Sequence, residues 1–209
     1  MIKKTGVINN SRRSLEQVEK KAEEAESALF QTANMDGEVR LLGVRYDGTC
    51  FANEPLEAGT LKYKTVWRVR ERDVVLSNIN AVNGAIGVVQ QELDGCFVSP
   101  EYTVVRAKDG VDPYVLQAIL RTPESRADLL LNASGIGRHR ITVESVSNVR
   151  IPYPKRELAQ KFLADLASAR EYSRKSKQLF EHVNQAVSEK LAMDTDSARE
   201  ILKAFKPPK

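Results

Sequence analysis

Residues 72–89 read Arg72-Asp73-Val74-Val75-Leu76-Ser77-Asn78-Ile79-Asn80-Ala81-Val82-Asn83-Gly84-Ala85-Ile86-Gly87-Val88-Val89. Two short apolar runs rich in valine, 74–76 and 85–91, flank an asparagine-rich stretch that ends on Asn83-Gly84. β-Branched side chains suit a pleated surface, and Asn-Gly tolerates the left-handed backbone of a tight turn. The stretch predicts strand, turn, strand. Working outward, β-rich runs recur at 39–46, 65–69 and 102–106, with turns marked by Asp47-Gly48 and Asp94-Gly95. Helix signals follow. Asp112-Pro113 sets an N-cap and a first-position proline before a helix over 114–120, and Thr122-Pro123-Glu124 opens another that ends near Leu129, Leu130 and Leu131. Ser134-Gly135-Ile136-Gly137 then leads to Arg138-His139-Arg140, and a last strand is expected at Val149-Arg150-Ile151.

Helices flank this centre. Upstream, Leu15, Val18, Ala22, Ala25 and Leu29 fall three and four residues apart, an apolar stripe on an otherwise charged helix. Downstream, Pro152-Tyr153-Pro154 ends the central region. Phe162, Leu166, Ala169, Ser173, Ser176, Phe180, Val183 and Val187 then keep the same spacing. A helix of about 35 residues reaches roughly 50 Å, too long for the edge of a domain this size. Asp194-Thr195-Asp196 recaps a short helix over 197–205 before Pro207-Pro208. Small or polar residues interrupt both stripes, so each needs a specific partner helix. The partner-facing positions are Leu15, Val18, Ala22 and Leu29 upstream, and Phe162, Leu166, Phe180, Val183 and Val187 downstream. The expected class is α+β. Three parts are expected: an N-terminal amphipathic helix (1–35), a mixed, β-rich domain (36–154), and a long coiled-coil-type helix with a short C-terminal helix (155–209).

With 209 residues, 42% hydrophobic and 29% charged, the composition is that of a folded soluble domain plus an appendage. No apolar run reaches 18 residues, which excludes a membrane-spanning helix. The start, Met1-Ile2-Lys3-Lys4-Thr5-Gly6, lacks the apolar stretch of an export signal, so a cytoplasmic protein is expected. Cys50 and Cys96 have no CxxC spacing, and His139 and His182 stand alone; neither a disulfide nor zinc is expected. The net charge is only +4, and residues 36–155 carry 15 Lys+Arg against 15 Asp+Glu. Any nucleic-acid contact must rest on local clusters.

The order of the pieces resembles the specificity (S) subunit of type I restriction-modification systems. Arg72-Asp73-Val74-Val75-Leu76-Ser77 resembles that family's G-D-[IV]-[LV]-x-S strand, with Arg72 in place of the usual Gly. Asn83-Gly84-Ala85-Ile86-Gly87-Val88-Val89 resembles its next strand, and Gly95-Cys96-Phe97-Val98-Ser99-Pro100-Glu101-Tyr102 the segment leading into S-x-x-Y. Asp112-Pro113-Tyr114-Val115-Leu116 resembles the P-x-Y-L helix start, Ser134-Gly135-Ile136-Gly137-Arg138 the S-x-G-x-x-R link, and Val149-Arg150-Ile151-Pro152-Tyr153-Pro154 the I-x-I-P-x-P exit. Arg156-Glu157-Leu158-Ala159-Gln160 matches P-x-x-E-Q only loosely. No single match is specific; six in order, followed by a long helix, are. The resemblance implies a half-length S protein with a single target recognition domain reading half of a split site in double-stranded DNA. Its helices would dock modification (methyltransferase) subunits, through which an endonuclease subunit could join, and two copies are expected to pair.

Lys62, Lys64, Arg68, Arg70 and Arg72 form the densest basic run. On a strand, Arg68, Arg70 and Arg72 would share one face while Trp67 and Val69 point inward. Such a row suits phosphates or guanine O6/N7, although a solvated strand face is the blander alternative. Asn78 and Asn83 could read adenine, yet asparagines near Gly84 are equally expected in a turn. His139 and Arg140 follow two glycines that allow close approach to a ligand; Arg138 matches the family motif and is expected to be structural.

No catalytic constellation is visible. The sequence lacks the [DNS]-P-P-[YFW] and GxGxxG motifs of an amino-methyltransferase, and Glu19-Lys20-Lys21 matches a nuclease motif by spelling only. A non-catalytic specificity subunit with no metal or cofactor is therefore expected. The alternatives are a coiled-coil adaptor or regulatory subunit of a methyltransferase-based defence complex that does not touch DNA, and an unrecognised enzyme.

Overall fold

A computed structural model describes residues 29–107, 110–135, 139–149, 151–191 and 194–204. Leu15, Val18, Ala22 and Arg138 lie outside the described residues. The chain divides into two units, Met1–Ala159 and Gln160–Lys209. Among the described residues the first contains ten short strands and three short helices, and the class is α+β.

The segment 72–89 lies at the centre of the first unit. Strand β7 (Val74–Ser77) pairs antiparallel with β8 (Ile86–Val88) on one side and β10 (Tyr102–Val105) on the other. All four residues of β7 are buried. Val74 and Leu76 join one apolar cluster and Val75 a second, so alternate side chains fill opposite faces of the sheet. A strand buried on both faces reads as a continuous apolar run, as this one does. The intervening 3-10 turn, Ala81–Asn83, closes on Gly84 at φ +101°. A Cβ on Gly84 would lie 2.6 Å from the Tyr46 carbonyl oxygen, so the position requires glycine twice over.

A second sheet has the order β1 (Leu29–Gln31), β6 (Thr65–Arg68), β9 (Phe97–Val98), with antiparallel pairs throughout. Leu29 therefore does not close the upstream helical stripe. Its backbone is extended and pairs with Trp67, and Phe30 packs edge-on against Phe97 at 5.5 Å. Strand pairing overrides the local three-and-four spacing, and the β-rich body begins earlier than residue 36. The run 39–46 is also divided. β2 (Glu38–Val39) pairs with β5 (Leu56–Glu57), and β3 (Leu42–Val44) with β4 (Cys50–Ala52). Between them, Arg40 and Leu41 turn to meet Phe97.

Three helices cover the first cluster. α1 (Pro113–Leu120) starts as its sequence requires: Asp112 accepts the Tyr114 N–H at 2.8 Å, and Pro113 sits at the first position. α2 (Pro123–Leu131) is capped by Thr122, and α3 (Val143–Ser147) by a reciprocal Thr142–Ser145 box. Of the strand expected at 149–151, Val149 and Ile151 are buried in the core after α3, and Arg150 lies outside the described residues. Cys50 and Cys96 are free and buried, and burial pushes the Cys50 thiol up to about 12.

α4 (Arg156–Lys190) starts in the first unit and supplies most of the second. Its 35 residues span roughly 50 Å. α5 (Thr195–Ala204) begins two residues before the expected start, with the Asp194 carboxylate accepting the Ser197 N–H at 3.1 Å. Hydrogen bonds from Ser197 hold the Asp194 carboxyl below its usual range.

Candidate nucleic-acid interface

The basic run is not one strand face. β6 ends at Arg68, and Val66 and Val69 are both fully buried, a spacing of three that breaks the alternation of a strand. Residues 70–73 then turn: Arg70 N–H donates to Asp73 Oδ2 at 2.9 Å, and Asp73 N–H to the Arg70 carbonyl at 3.1 Å. Arg72 sits in the left-handed region at φ +69°, where a glycine would be unstrained. This accounts for the Gly in the motif that Arg72 departs from. Its guanidinium is also engaged, with Nη2 2.8 Å from Asp112 Oδ2. The row of Arg68, Arg70 and Arg72 is thus corrected. Lys62 and Lys64 lie in the irregular chain before β6, Arg68 at its end and Arg70 in the turn. All four are exposed, and none has an ion-pair partner among the described residues.

Asp73, the second residue of that motif, holds the turn. It is buried and accepts Arg106 Nε at 2.8 Å and Nη2 at 3.2 Å, a two-pronged pair.

Asn78 is likewise structural. Its Nδ2 donates to the Pro100 carbonyl at 3.0 Å, and its Oδ1 accepts the Thr103 hydroxyl at 2.8 Å. Both ends of the amide have partners inside the body, which fixes the side chain against the segment 100–103. Its backbone carbonyl accepts the Ile141 N–H at 2.7 Å, and Ser134 and Arg140 exchange backbone bonds of 2.9 and 2.8 Å. Ser134 and Arg140 are thereby joined to each other, and Ile141 to the residue that follows β7. Arg140 pairs with Glu101 at 2.6 Å, while His139 is exposed. The structure gathers Asn78, His139 and Arg140 at one loop base. It places the 62–70 cations around a different sheet and exposed Asn83 beside Gly84.

The sequence reading missed the residues that fix the β3–β4 turn. Arg121, at the C-terminal end of α1, donates Nη2 to the Tyr46 carbonyl at 3.0 Å and Nη1 to the Asp47 carbonyl. Gln117 Nε2 donates to Gly48 O at 3.1 Å and Ile86 O at 2.9 Å. The turn is thereby tied to α1, leaving the Tyr46 side chain 61% exposed. No linear signal marks these contacts, because Arg121 reads only as a polar connector between two helices.

In the second unit, Phe162, Phe180, Val183 and Val187 are exposed on α4, and Leu166 is half-buried. Leu179 and Leu191 add to the exposed apolar surface. Among the described residues, no three His, Cys, Asp or Glu side chains gather as a metal site, and no helix is long and apolar enough to cross a membrane.

No protein-family model matches the sequence, and no curated protein matches it either. Solved structures do. The HsdS subunit from Thermoanaerobacter tengcongensis superposes with a TM-score of 0.58 at 20% identity over 71% of this chain and 40% of that one. A chain from a structure describing complex assembly and conformational transition of the type I R-M system gives 0.58 at 20% identity, over 85% of this chain and 45% of that one. The chain spans less than half the length of either neighbour. It has the α+β fold of type I restriction-modification specificity subunits, with one β-rich body and a long helix.

Proposed function

We propose that this chain is the DNA-recognition part of a type I restriction-modification system and performs no chemistry itself. Its body reads one half of a split duplex site. The helical stripe binds methyltransferase subunits, and two copies pair to present two half-sites, with an endonuclease subunit joining through that complex. One observation carries the reading: within the specificity-subunit fold, Lys62, Lys64, Arg68 and Arg70 are exposed with no acidic partner among the described residues. Cations held on a rigid body without local neutralisation are suited to duplex phosphates, and an Arg can also reach a guanine edge. A nearly neutral body makes such a local cluster the main source of attraction for DNA.

Duplex binding across a salt series tests this. The intact chain is expected to bind with a marked salt slope. Arg68→Ala and Arg70→Ala are each expected to weaken binding by about 1–3 kcal/mol where the residue reads a base, and to lower the slope by about one where it contacts phosphate. Unchanged affinity and slope in both variants would remove this surface from the interface. Partner binding without any duplex shift would favour the adaptor reading.

A further inference from the structure

At one corner of the body, four segments meet: the β3–β4 turn, Gly84, the C-terminal end of α1 and the first turns of α2. Two guanidinium groups converge there. From the Cβ position that Gly84 lacks, Arg121 Nη2 lies 3.6 Å away and Arg126 Nη1 3.7 Å away. Arg121 spends its hydrogen bonds on two backbone carbonyls, those of Tyr46 and Asp47. Arg126 has neither a hydrogen bond nor an ion pair from its side chain among the described residues, and Nε of both arginines is buried without a partner. Asp47 is the acid that acts on Arg121, and its carboxylate is already engaged, accepting the Thr49 N–H at 2.8 Å. Burial pulls Arg121 below the usual arginine range, and the Arg126 charge adds to this against the opposing pull of Asp47.

Two like charges fixed this close, each partly desolvated, are unfavourable until an anion lies between them. Guanidinium N–H groups match the paired oxygens of a phosphate better than any other side chain does. Gly84 is held at this corner by the Tyr46 carbonyl, which a side chain there would meet at 2.6 Å, and both guanidinium groups lie within van der Waals reach of it. Asn83 and Tyr46 are both exposed at the same corner. We propose that Arg121 and Arg126, converging on Gly84, form a seat for a phosphate-class oxyanion, which the backbone of bound duplex supplies. The seat stands on this geometry alone; its source rests on the DNA reading above.

The test follows the arginine Nε–Hε resonances of the intact chain, assigned with Arg121→Lys and Arg126→Lys. Inorganic phosphate is titrated against chloride at matched ionic strength, and then a duplex long enough for two half-sites is added. Movement of the Arg126 signal with either ligand is expected. With Arg126→Gln, the slope of log affinity against log salt is expected to fall by about one, without a change in sequence preference. A duplex that binds but leaves the Arg126 signal unmoved, with phosphate also silent, overturns the seat and spares the DNA reading. Phosphate that moves the signal while no duplex binds keeps the seat, assigns it to free phosphate and sinks the DNA reading. Silence with both ligands overturns the seat outright.

Discussion

Asp73 shows how a single motif residue can be conspicuous in sequence and still belong to architecture. It caps its own turn through Arg70 N–H and is the buried partner of Arg106. Removing one member of such a pair leaves the other charge uncompensated, so Asp73→Ala is expected to cost about 3–5 kcal/mol in urea unfolding. A loss below about 1 kcal/mol, the range of exposed pairs, would mean that the pair does not hold the turn. Arg72 gives a finer test. Replacement by either Gly or Ala loses the exposed contact to Asp112, worth about 0–1 kcal/mol, but only Gly relieves the left-handed backbone. Allowing for the entropy that glycine adds to the unfolded chain, Arg72→Gly should be more stable than Arg72→Ala by about 0.5–1 kcal/mol. Arg72→Ala more stable than Arg72→Gly by the roughly 0.5–1 kcal/mol that glycine's entropy costs would show that the backbone at Arg72 carries no strain.

At the scale of elements, β7 and the helices α1 and α2 were legible because their signals are local. A doubly buried strand is a continuous apolar run, and Asp-Pro and Thr-Pro-Glu set helix starts by capping chemistry alone. The two-residue strands β2, β5 and β9 carry too little sequence to show a period, and they exist through partners far away in the chain. Leu29 misled for a related reason: apolar spacing reports burial, and tertiary pairing decides the backbone. For the candidate site, exposure of Lys62, Lys64, Arg68, Arg70 and His139 could be anticipated, whereas the commitment of Asn78 and the convergence of Arg121 on the Tyr46 turn could not. α4 carries its own prediction. Phe180 and Val183 are exposed, so Phe180→Ser with Val183→Ser is expected to leave thermal unfolding of the β-rich body unchanged. Each lost apolar contact removes roughly 1.5–3 kcal/mol from a helix–helix assembly, so pairing or methyltransferase binding should weaken at least about tenfold in sedimentation measurements. Undiminished assembly would exclude the stripe as the docking face.

For the whole molecule, we propose two kinds of surface for two tasks: exposed cations on the body for duplex DNA, and an apolar stripe on a long helix for protein partners. Because residues 36–155 are neutral, the proposed duplex binding would draw little on long-range attraction, and discrimination would arise from close contact. Two copies related by a twofold axis would read inverted half-sites at a fixed separation, with the helices setting that distance. The most direct measurement is selection by the intact chain from a pool of fully randomised duplexes, followed by sequencing over successive rounds. The account predicts enrichment of one split motif with a constant spacer, lost when Arg68 and Arg70 are replaced together. A pool that remains random through repeated selection would contradict it.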